Sequence, residues 1–318
     1  IYQCDWRFRR VLFRSFESIE NDVVTICRDL IKIDTVNFGN NQSNGEIKAA
    51  EYVAKILSGL NLDFKIVGPD SKRSSIISRI EGTNPDLPDL VLHGHLDVVP
   101  VEKDKWTRDA FAAEIFADMI WGRGAVDMKN GNAMILSSLK NLLISGWKPK
   151  RNITLAMFAD EEAGGALGSH FVTNNSPEYF NKATEAVGEV GGFSHTLSNG
   201  VRLYLIETAQ KGIAWMKLTA KGNAGHGSMI NNNNALEKIS KAVLALSKNK
   251  FPITIKDAVH HLLQETAKAH NMTFDKNDPE KIVSLLGSLS KLVSATLDRK
   301  STRLNSSHTD ISRMPSSA

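Results

Sequence analysis

Residues 91–100 read VLHGHLDVVP, an apolar run that ends in histidine and aspartate. Such a run is typical of a buried strand, and its polar residues come where the strand is predicted to stop. Side chains at positions i and i+2 of an extended chain point to the same side. Asp97 can therefore accept a hydrogen bond from the second ring nitrogen of His95, as the carboxylate partner of a metal-bound histidine does. His93 lies on the same face, so the pattern leaves His93 open as well.

Other apolar runs end in acidic residues in the same way. They are WGRGAVDMKNG with Asp127, ITLAMFADEEAGG with Glu161 and Glu162, and AVGEVGGF with Glu189. In open α/β sheets, ligands bind outside the carboxyl ends of the strands. Strand ends that carry His, Asp and Glu without Cys favour a hard or borderline divalent metal such as zinc. The pattern therefore predicts a metal-dependent hydrolase.

Each of these residues also has a simpler interpretation. Asp127 precedes a predicted helix, so it is suited to cap the helix as well as to bridge two metals. Glu161 and Glu162 form either a solvated acidic loop or a pair in which one binds metal and the other is a general base. Glu189 is a loop charge or a metal ligand. His226 in NAGHGS is a turn histidine or a donor to a developing oxyanion, since flanking glycines allow close approach of the backbone.

Strands and helices alternate along the chain, which predicts the α/β class with a mostly parallel sheet covered on both faces. Apolar residues at three- and four-residue steps predict helices at 17–34, 43–60 and 131–145. Alternating or continuous apolar runs predict strands at 62–66, 76–80, 90–95, 152–159 and 184–190. Ser43 and Glu46 have the spacing of a capping box at the start of the second helix.

A second, smaller domain is predicted to begin near residue 207. GIAWMKLTAKG at 212–222 alternates like a strand with one polar face, residues 235–248 form a helix, and residues 256–297 are mostly helical in pattern. We therefore expect a catalytic domain at 16–206 and an α+β lid domain at 207–298.

Composition indicates a soluble globular protein. The chain has 318 residues, of which 42% are hydrophobic and 23% are charged. No apolar stretch approaches the roughly 20 residues that span a bilayer, so we expect no membrane partner. Only two cysteines occur, so a reducing compartment and a cytoplasmic location are expected.

The formal net charge of +4 comes from the two ends of the chain. Residues 1–15 and residues 299–318 each carry a net charge of +3, which leaves −2 for the residues between them. The sequence therefore shows no basic patch that would indicate nucleic-acid binding. Both ends resemble translated adaptor or vector DNA, with native disordered tails as the alternative. We expect both to be non-native, and we leave them out of the fold prediction.

Taken together, HGHLDVVP, GRGAVDMKNG, DEEAGG and GHGS resemble the motifs of a family of zinc metallopeptidases. This family includes acetylornithine deacetylase, succinyl-diaminopimelate desuccinylase, aminoacylase, glutamate carboxypeptidase and carnosine dipeptidase. The motifs occur in the family's order and at similar spacing over residues 16–250. The resemblance implies an α/β catalytic domain with an inserted lid domain that mediates a homodimer. It also implies hydrolysis of an amide or peptide bond in a small peptide or N-acyl amino acid.

The resemblance implies two Zn²⁺ ions in each active site, with Co²⁺ or Mn²⁺ as substitutes. Carried over position by position, His95, Asp127 and Glu189 would bind one zinc. Asp127 would bridge to the second zinc, which Glu162 would also bind. A cis peptide bond would follow the bridging residue, between Asp127 and Met128.

Three further residues would act in catalysis. Glu161 would be the general base, Asp97 would orient His95, and His226 would reach the active site of the partner subunit. The family also supplies a histidine for the second zinc and an arginine for the substrate carboxylate from a later part of the chain, and we find no candidate for either. We therefore expect this chain to be a fragment that binds metal weakly and is itself inactive. A degenerate, non-catalytic module for metal binding or dimerisation is the alternative function.

Overall fold

The structure is a computed structural model that describes residues 16–189, 191–197, 199–206, 216–226, 228–249, 256–275 and 278. The chain divides into two compact units, Ile1–Glu189 and Val190–Ala318. The domain bounds 16–206 and 207–298 stay predictions, since residues 207–215 and 279–298 lie outside the described part. The two ends that we expect to be non-native, 1–15 and 299–318, also lie outside it.

The first unit contains both helices and strands, and the second unit begins with a two-stranded hairpin. Within the described residues, the helices are α1 Phe16–Lys32, α2 Ile47–Gly59, α3 Lys129–Ile144, α4 Ser169–Asn175, α5 Ala235–Lys248 and α6 Asp257–Ala269. The strands are β1 Asn37–Gly39, β2 Gln42–Ser43, β3 Phe64–Val67, β4 Ser75–Ile80, β5 Asp89–His95, β6 Glu114–Phe116, β7 Met119–Trp121, β8 Ile153–Phe158, β9 Ala183–Val187, β10 Gly191–Thr196 and β11 Arg202–Ile206. None of the helices in the described part has the length and apolar character needed to cross a bilayer.

The first unit is built on a five-stranded sheet with the order β3-β4-β8-β5-β9. The neighbours β8, β5 and β9 are parallel, whereas β3 and β4 pair antiparallel with each other and β4 pairs antiparallel with β8. Residues 68–74 between β3 and β4 are too few for a parallel crossover, which takes about a dozen residues. The α/β class is thus confirmed, and the sheet is mixed, with its parallel half where β5, β8 and β9 lie.

Apolar residues cover both faces of this sheet. Ile76 and Leu155 belong to the larger core, which the buried sides of α1, α2 and α3 complete. The next residue along each strand faces the other way, so Ile77 and Ala156 pack with Val172 of α4. Because β5, β8 and β9 are parallel, their carboxyl ends meet at one edge of the sheet, and this edge carries the candidate site.

Most predicted elements are confirmed with small shifts at their ends. The predicted helices 17–34, 131–145 and 235–248 correspond to α1, α3 and α5. The predicted helical region 256–297 contains α6, which ends at Ala269, and residues 279–297 lie outside the described part. The strand predicted at 212–222 is wrong for residues 216–222, which form no strand, and residues 212–215 are not described.

The predicted capping box at α2 is wrong. Ser43 lies in β2, and its hydroxyl accepts a hydrogen bond from the Gly45 amide at 2.9 Å. Glu46 occupies the N-cap position, and its carboxylate forms an ion pair with Arg73, with 3.0 Å between Oε1 and Nη2. This contact is an ion pair without a hydrogen bond, and burial raises the pKa of Glu46 to about 7 against the opposing charge of Arg73.

We expect Leu136→Ala to lower the free energy of unfolding by about 2–5 kcal/mol, because it leaves a cavity in the larger core. Leu136 on α3 is 1% exposed. The matched control is Leu142→Ala on the same helix, where the leucine is 39% exposed and a change below about 1 kcal/mol is expected. Urea denaturation of both variants measures the difference, and equal losses would contradict this packing of α3.

Candidate metal centre

His95 is the last residue of β5 and is almost fully buried, with 2% of its surface exposed. The side-chain amide of Asn132 donates to the His95 backbone oxygen at 2.6 Å and so anchors this end of the strand. The ring nitrogen Nδ1 lies 2.9 Å from the backbone oxygen of Asp97. A carbonyl oxygen only accepts, so Nδ1 carries a proton, and the neutral ring has its lone pair on Nε2.

Acidic side chains from three different segments of the chain converge on Nε2 of His95. Asp127 Oδ1 lies at 3.0 Å, Glu189 Oε2 at 3.3 Å and Glu161 Oε2 at 3.8 Å. The ligand atoms of His95, Asp127 and Glu189 all lie within 4.8 Å of one another. A tetrahedral zinc with bonds of about 2.0–2.1 Å needs ligand atoms about 3.3 Å apart. The spacing in this group therefore fits a divalent metal.

Charge at the site favours a cation. Burial alone would lower the pKa of His95, but the nearby carboxylates of Asp127, Asp97 and Glu189 outweigh burial and raise this pKa to about 12. The hydrogen bond to His95 holds the pKa of Asp127 below its usual range. The raised pKa of His95 reflects the negative charge of the carboxylates around Nε2, and a divalent metal would neutralise that charge.

Asp127 reaches the site from the loop before α3. The peptide bond between Asp127 and Met128 is cis, as the resemblance implies. Met128, not Asp127, occupies the N-cap position of α3, so the simpler interpretation of Asp127 as a helix cap is wrong. The buried Lys129 donates to the backbone oxygens of Leu30 at 2.9 Å and Ile33 at 2.7 Å. This loop is thereby tied to the end of α1.

Asp97 is fully buried and links the ends of β5 and β8. Its Oδ1 accepts from the Glu161 amide at 3.0 Å, and its Oδ2 accepts from the Glu162 amide at 3.1 Å and from Asn37 Nδ2 at 2.8 Å. We expected the Asp97 carboxylate to accept from His95, but the Asp97 backbone oxygen does so, and Oδ1 lies 3.5 Å from Nδ1. Burial raises the pKa of Asp97, but the interactions with His95 and Asn37 lower it by more, so the pKa of Asp97 lies below its usual value.

Glu161 and Glu162 follow β8 in the short 3-10 helix Glu161–Ala163. Loss of hydration and the negative charges of Glu189 and Asp97 raise the pKa of Glu161 against the opposing effect of His95. Burial and the charge of Asp127 raise the pKa of Glu162 to about 7. Carboxyl groups with raised pKa values are suited to take up and release protons near neutral pH.

The histidines are placed differently from one another. His93 precedes the site on β5 and packs near the ring of Phe158, with 6.2 Å between ring centroids, and burial lowers its pKa. His93 is not part of the three-residue group found in the described residues, whereas His95 is. His226 belongs to the second unit and is exposed, and its Nδ1 lies 2.8 Å from Ser228 Oγ.

Sequence reasoning missed three residues that hold this site in place. Asn37 binds the Asp97 carboxylate, Asn132 binds the backbone of His95, and Lys129 fastens the loop that carries Asp127. Lys129 gave a usable signal, because it follows the acidic strand end at the start of a predicted helix. Asn37 and Asn132 gave none, since an asparagine in a loop or a helix has many other roles.

Comparison with known proteins gives one family match and several relatives. A profile of "Peptidase family M20/M25/M40" matches residues 91–285. Aminoacylase-1 of Dictyostelium discoideum is 27% identical over 253 residues, which are 78% of this chain and 58% of that protein. A probable carboxypeptidase S-like 2 of the same organism is 33% identical over 189 residues, 55% of this chain and 35% of that protein. The chain thus spans less than two thirds of the length of these curated relatives.

Solved structures of similar proteins were also found. Human carnosine dipeptidase 1 is 20% identical with a TM-score of 0.48, and the match covers 55% of this chain and 40% of that chain. A family M20 metallo-carboxypeptidase from Sulfolobus solfataricus is 22% identical with a TM-score of 0.46, and the match covers 56% and 39% respectively.

We expect zinc to raise the melting temperature of this chain, because a metal that binds only the folded state stabilises it. Glu189→Gln removes one ligand charge and should weaken zinc binding at least about tenfold, or about 1.4 kcal/mol. The matched control is Glu185→Gln on β9, whose exposed carboxylate pairs with Arg151 away from His95. Calorimetric titration with zinc compares the three proteins, and equal affinities for both variants would contradict the assignment of Glu189.

Proposed function

The chain belongs to peptidase family M20/M25/M40, and from this premise we propose that it forms the metal-binding part of an enzyme that hydrolyses amide or peptide bonds. The observation that carries the proposal is the convergence of His95, Asp127 and Glu189, with the Glu161 carboxylate 3.8 Å from the same ring nitrogen. Metal ligands beside a free carboxylate are the minimum that metal-assisted hydrolysis requires.

Zinc is the metal proposed for this centre, with Co²⁺ or Mn²⁺ as substitutes. His95, Asp127 and Glu189 would hold one ion, and Asp127 together with Glu162 would contribute to a second. The nitrogen and oxygen donors of the three-residue group and their spacing support this choice. Bound zinc would lower the pKa of a water molecule to about 7 and polarise the carbonyl that is attacked.

Glu161 is proposed as the general base. Its carboxylate takes a proton from the attacking water and later returns it to the leaving amine. Its raised pKa and its position near His95 Nε2 support this role. Asp97 fixes His95 and Glu161 relative to each other, because its backbone oxygen accepts from the His95 ring and its carboxylate accepts from the Glu161 amide.

His226 is proposed to act on a substrate bound in a second copy of the protein. The Ser228 amide lies 3.3 Å from His226 Nδ1, which favours the tautomer with the proton on Nε2. That N–H can donate to the carbonyl oxygen of a substrate as negative charge develops there. Exposed apolar side chains on α5 support a homodimer formed through the second unit; they are Leu236, Val243, Leu244 and Leu246.

The proposed substrates are small peptides or N-acyl amino acids. The similar proteins include ones named aminoacylase-1 and probable carboxypeptidase S-like 2, and these names support this class.

We expect Glu161→Gln to lower kcat by about 10²–10⁴-fold, because the amide cannot accept the proton, and to leave the zinc content unchanged. The paired variant Glu162→Gln should lower the zinc content instead, because it removes a proposed ligand. Both are measured in the protein expressed from the complete coding sequence, with N-acetyl amino acids and dipeptides as substrates and with metal analysis of the same samples.

Near-normal turnover by Glu161→Gln with zinc still bound would remove Glu161 from the role of base. A wild-type protein that holds zinc but hydrolyses none of these substrates would contradict the proposed activity and favour the non-catalytic module.

A further inference from the structure

A buried polar network lies under the loop that carries Glu161 and Glu162. Its members are each 4% exposed or less and come from separate parts of the chain; they are Asn37, Glu46, Arg73, Asp97 and Asp160. Burying charged groups is costly unless they are paired and hydrogen-bonded. The proposed mechanism uses only one of these residues, so the role of the others is open.

Asp160 is the first residue of the segment 160–167 and holds its two ends together. Its backbone is in the left-handed region with φ of 64°, which turns the chain sharply after β8. One carboxylate oxygen accepts from Arg73 Nη2 at 2.6 Å, and the other accepts from the Leu167 amide at 2.9 Å. The Asp160 backbone oxygen accepts from the Gly165 amide at 2.6 Å. Both ends of the segment 160–167 are thus fastened to the same residue.

Asn37 joins the two carboxylates on either side of the loop. Its Nδ2 donates to Asp97 Oδ2 at 2.8 Å and to Asp160 Oδ1 at 3.1 Å, which uses both of its hydrogens. Asp97 in turn accepts the amides of Glu161 and Glu162. Two like charges that would otherwise repel each other are therefore held by a single amide group.

Arg73 supplies the positive charge of the network. Its Nη2 lies 2.6 Å from Asp160 Oδ1 and 3.0 Å from Glu46 Oε1. Its Nε and Nη1 are buried and have no hydrogen-bond partner among the described residues. Both carboxylate oxygens of Glu46 are likewise without a hydrogen-bond partner among the described residues. The hydrogen bond that the structure shows for this guanidinium goes to Asp160, so Arg73 is placed to hold Asp160.

We propose that Arg73 and Asn37 are positioning residues that fix the loop bearing Glu161 and Glu162, acting through Asp160 and Asp97. Neither residue touches the reacting atoms. The inference rests on the proposed function for the roles of Glu161 and Glu162. Whether the network holds their loop in place can be tested independently of that function. Misplacement of a reacting group by about 1 Å can cost about 10²-fold in rate, so the position of this loop matters for the proposed chemistry.

The test compares Arg73→Gln with the matched control Arg79→Gln. Arg79 lies on β4 and pairs with the buried Asp89. Asp89 begins β5, whereas His95 ends it, so the control breaks a comparable ion pair at the opposite edge of the sheet. Hydrogen exchange followed by mass spectrometry measures the opening of segment 160–167, and titration with zinc measures metal affinity.

Arg73→Gln is expected to speed exchange in segment 160–167 at least tenfold and to weaken zinc binding by about 10–100-fold, as loss of support behind metal ligands does. Arg79→Gln should leave both quantities at their wild-type values, although both variants lower the melting temperature. Equal loop exchange in the two variants would overturn the proposal and leave Arg73 with a purely structural role.

A second variant covers the case in which Arg73→Gln does not fold. Asn37→Leu keeps the approximate size of the side chain but removes both donors, and it should also speed exchange in segment 160–167 at least tenfold. Wild-type exchange in Asn37→Leu would overturn the proposal. Failure of the wild-type chain to bind zinc would refute the proposed metal centre alone, because the exchange measurement needs no metal.

Discussion

The site depends on the buried carboxylate and backbone oxygen of Asp97. The backbone oxygen fixes the proton of His95 on Nδ1, while the carboxylate binds the amides of Glu161 and Glu162. Asp97, two positions beyond the end of β5, thus positions both the His95 ring at the end of that strand and the loop at the end of the parallel neighbour β8. Parallel pairing makes this possible, because it brings the two carboxyl ends to the same edge.

The second constraint is charge. Five carboxyl groups lie near the imidazole of His95; they are Asp97, Asp127, Glu161, Glu162 and Glu189. Burial would lower the pKa of this imidazole, but Asp127, Asp97 and Glu189 raise it to about 12. Carboxylates gathered this closely repel one another and lose hydration, which is unfavourable unless positive charge compensates them. A divalent cation would resolve this conflict and would also supply the chemistry that the proposed hydrolysis needs. The charges and the proposed function therefore point to the same group of residues.

The sequence predicted the parts of the site that follow local rules. The ends of apolar runs pointed to His95, Asp127 and Glu189, and the structure brings these three side chains together. Their role as metal ligands stays a prediction. Asn37 and Arg73 were missed because their partner Asp160 lies 123 and 87 positions away, and no periodicity records such contacts. The capping box at Glu46 failed for the same reason, since the distant Arg73 overrode a local hydrogen-bond pattern. The antiparallel half of the sheet was missed because a run of apolar residues does not encode strand direction.

Anomalous X-ray diffraction from crystals of the zinc-loaded protein, measured at the zinc absorption edge, tests the central claim most directly. We predict an anomalous peak bonded to His95 Nε2 and to carboxylate oxygens of Asp127 and Glu189, with bonds of about 2.0–2.2 Å. Zinc bound at other residues, while these three side chains keep their direct contacts with one another, would contradict the assignment of the metal centre.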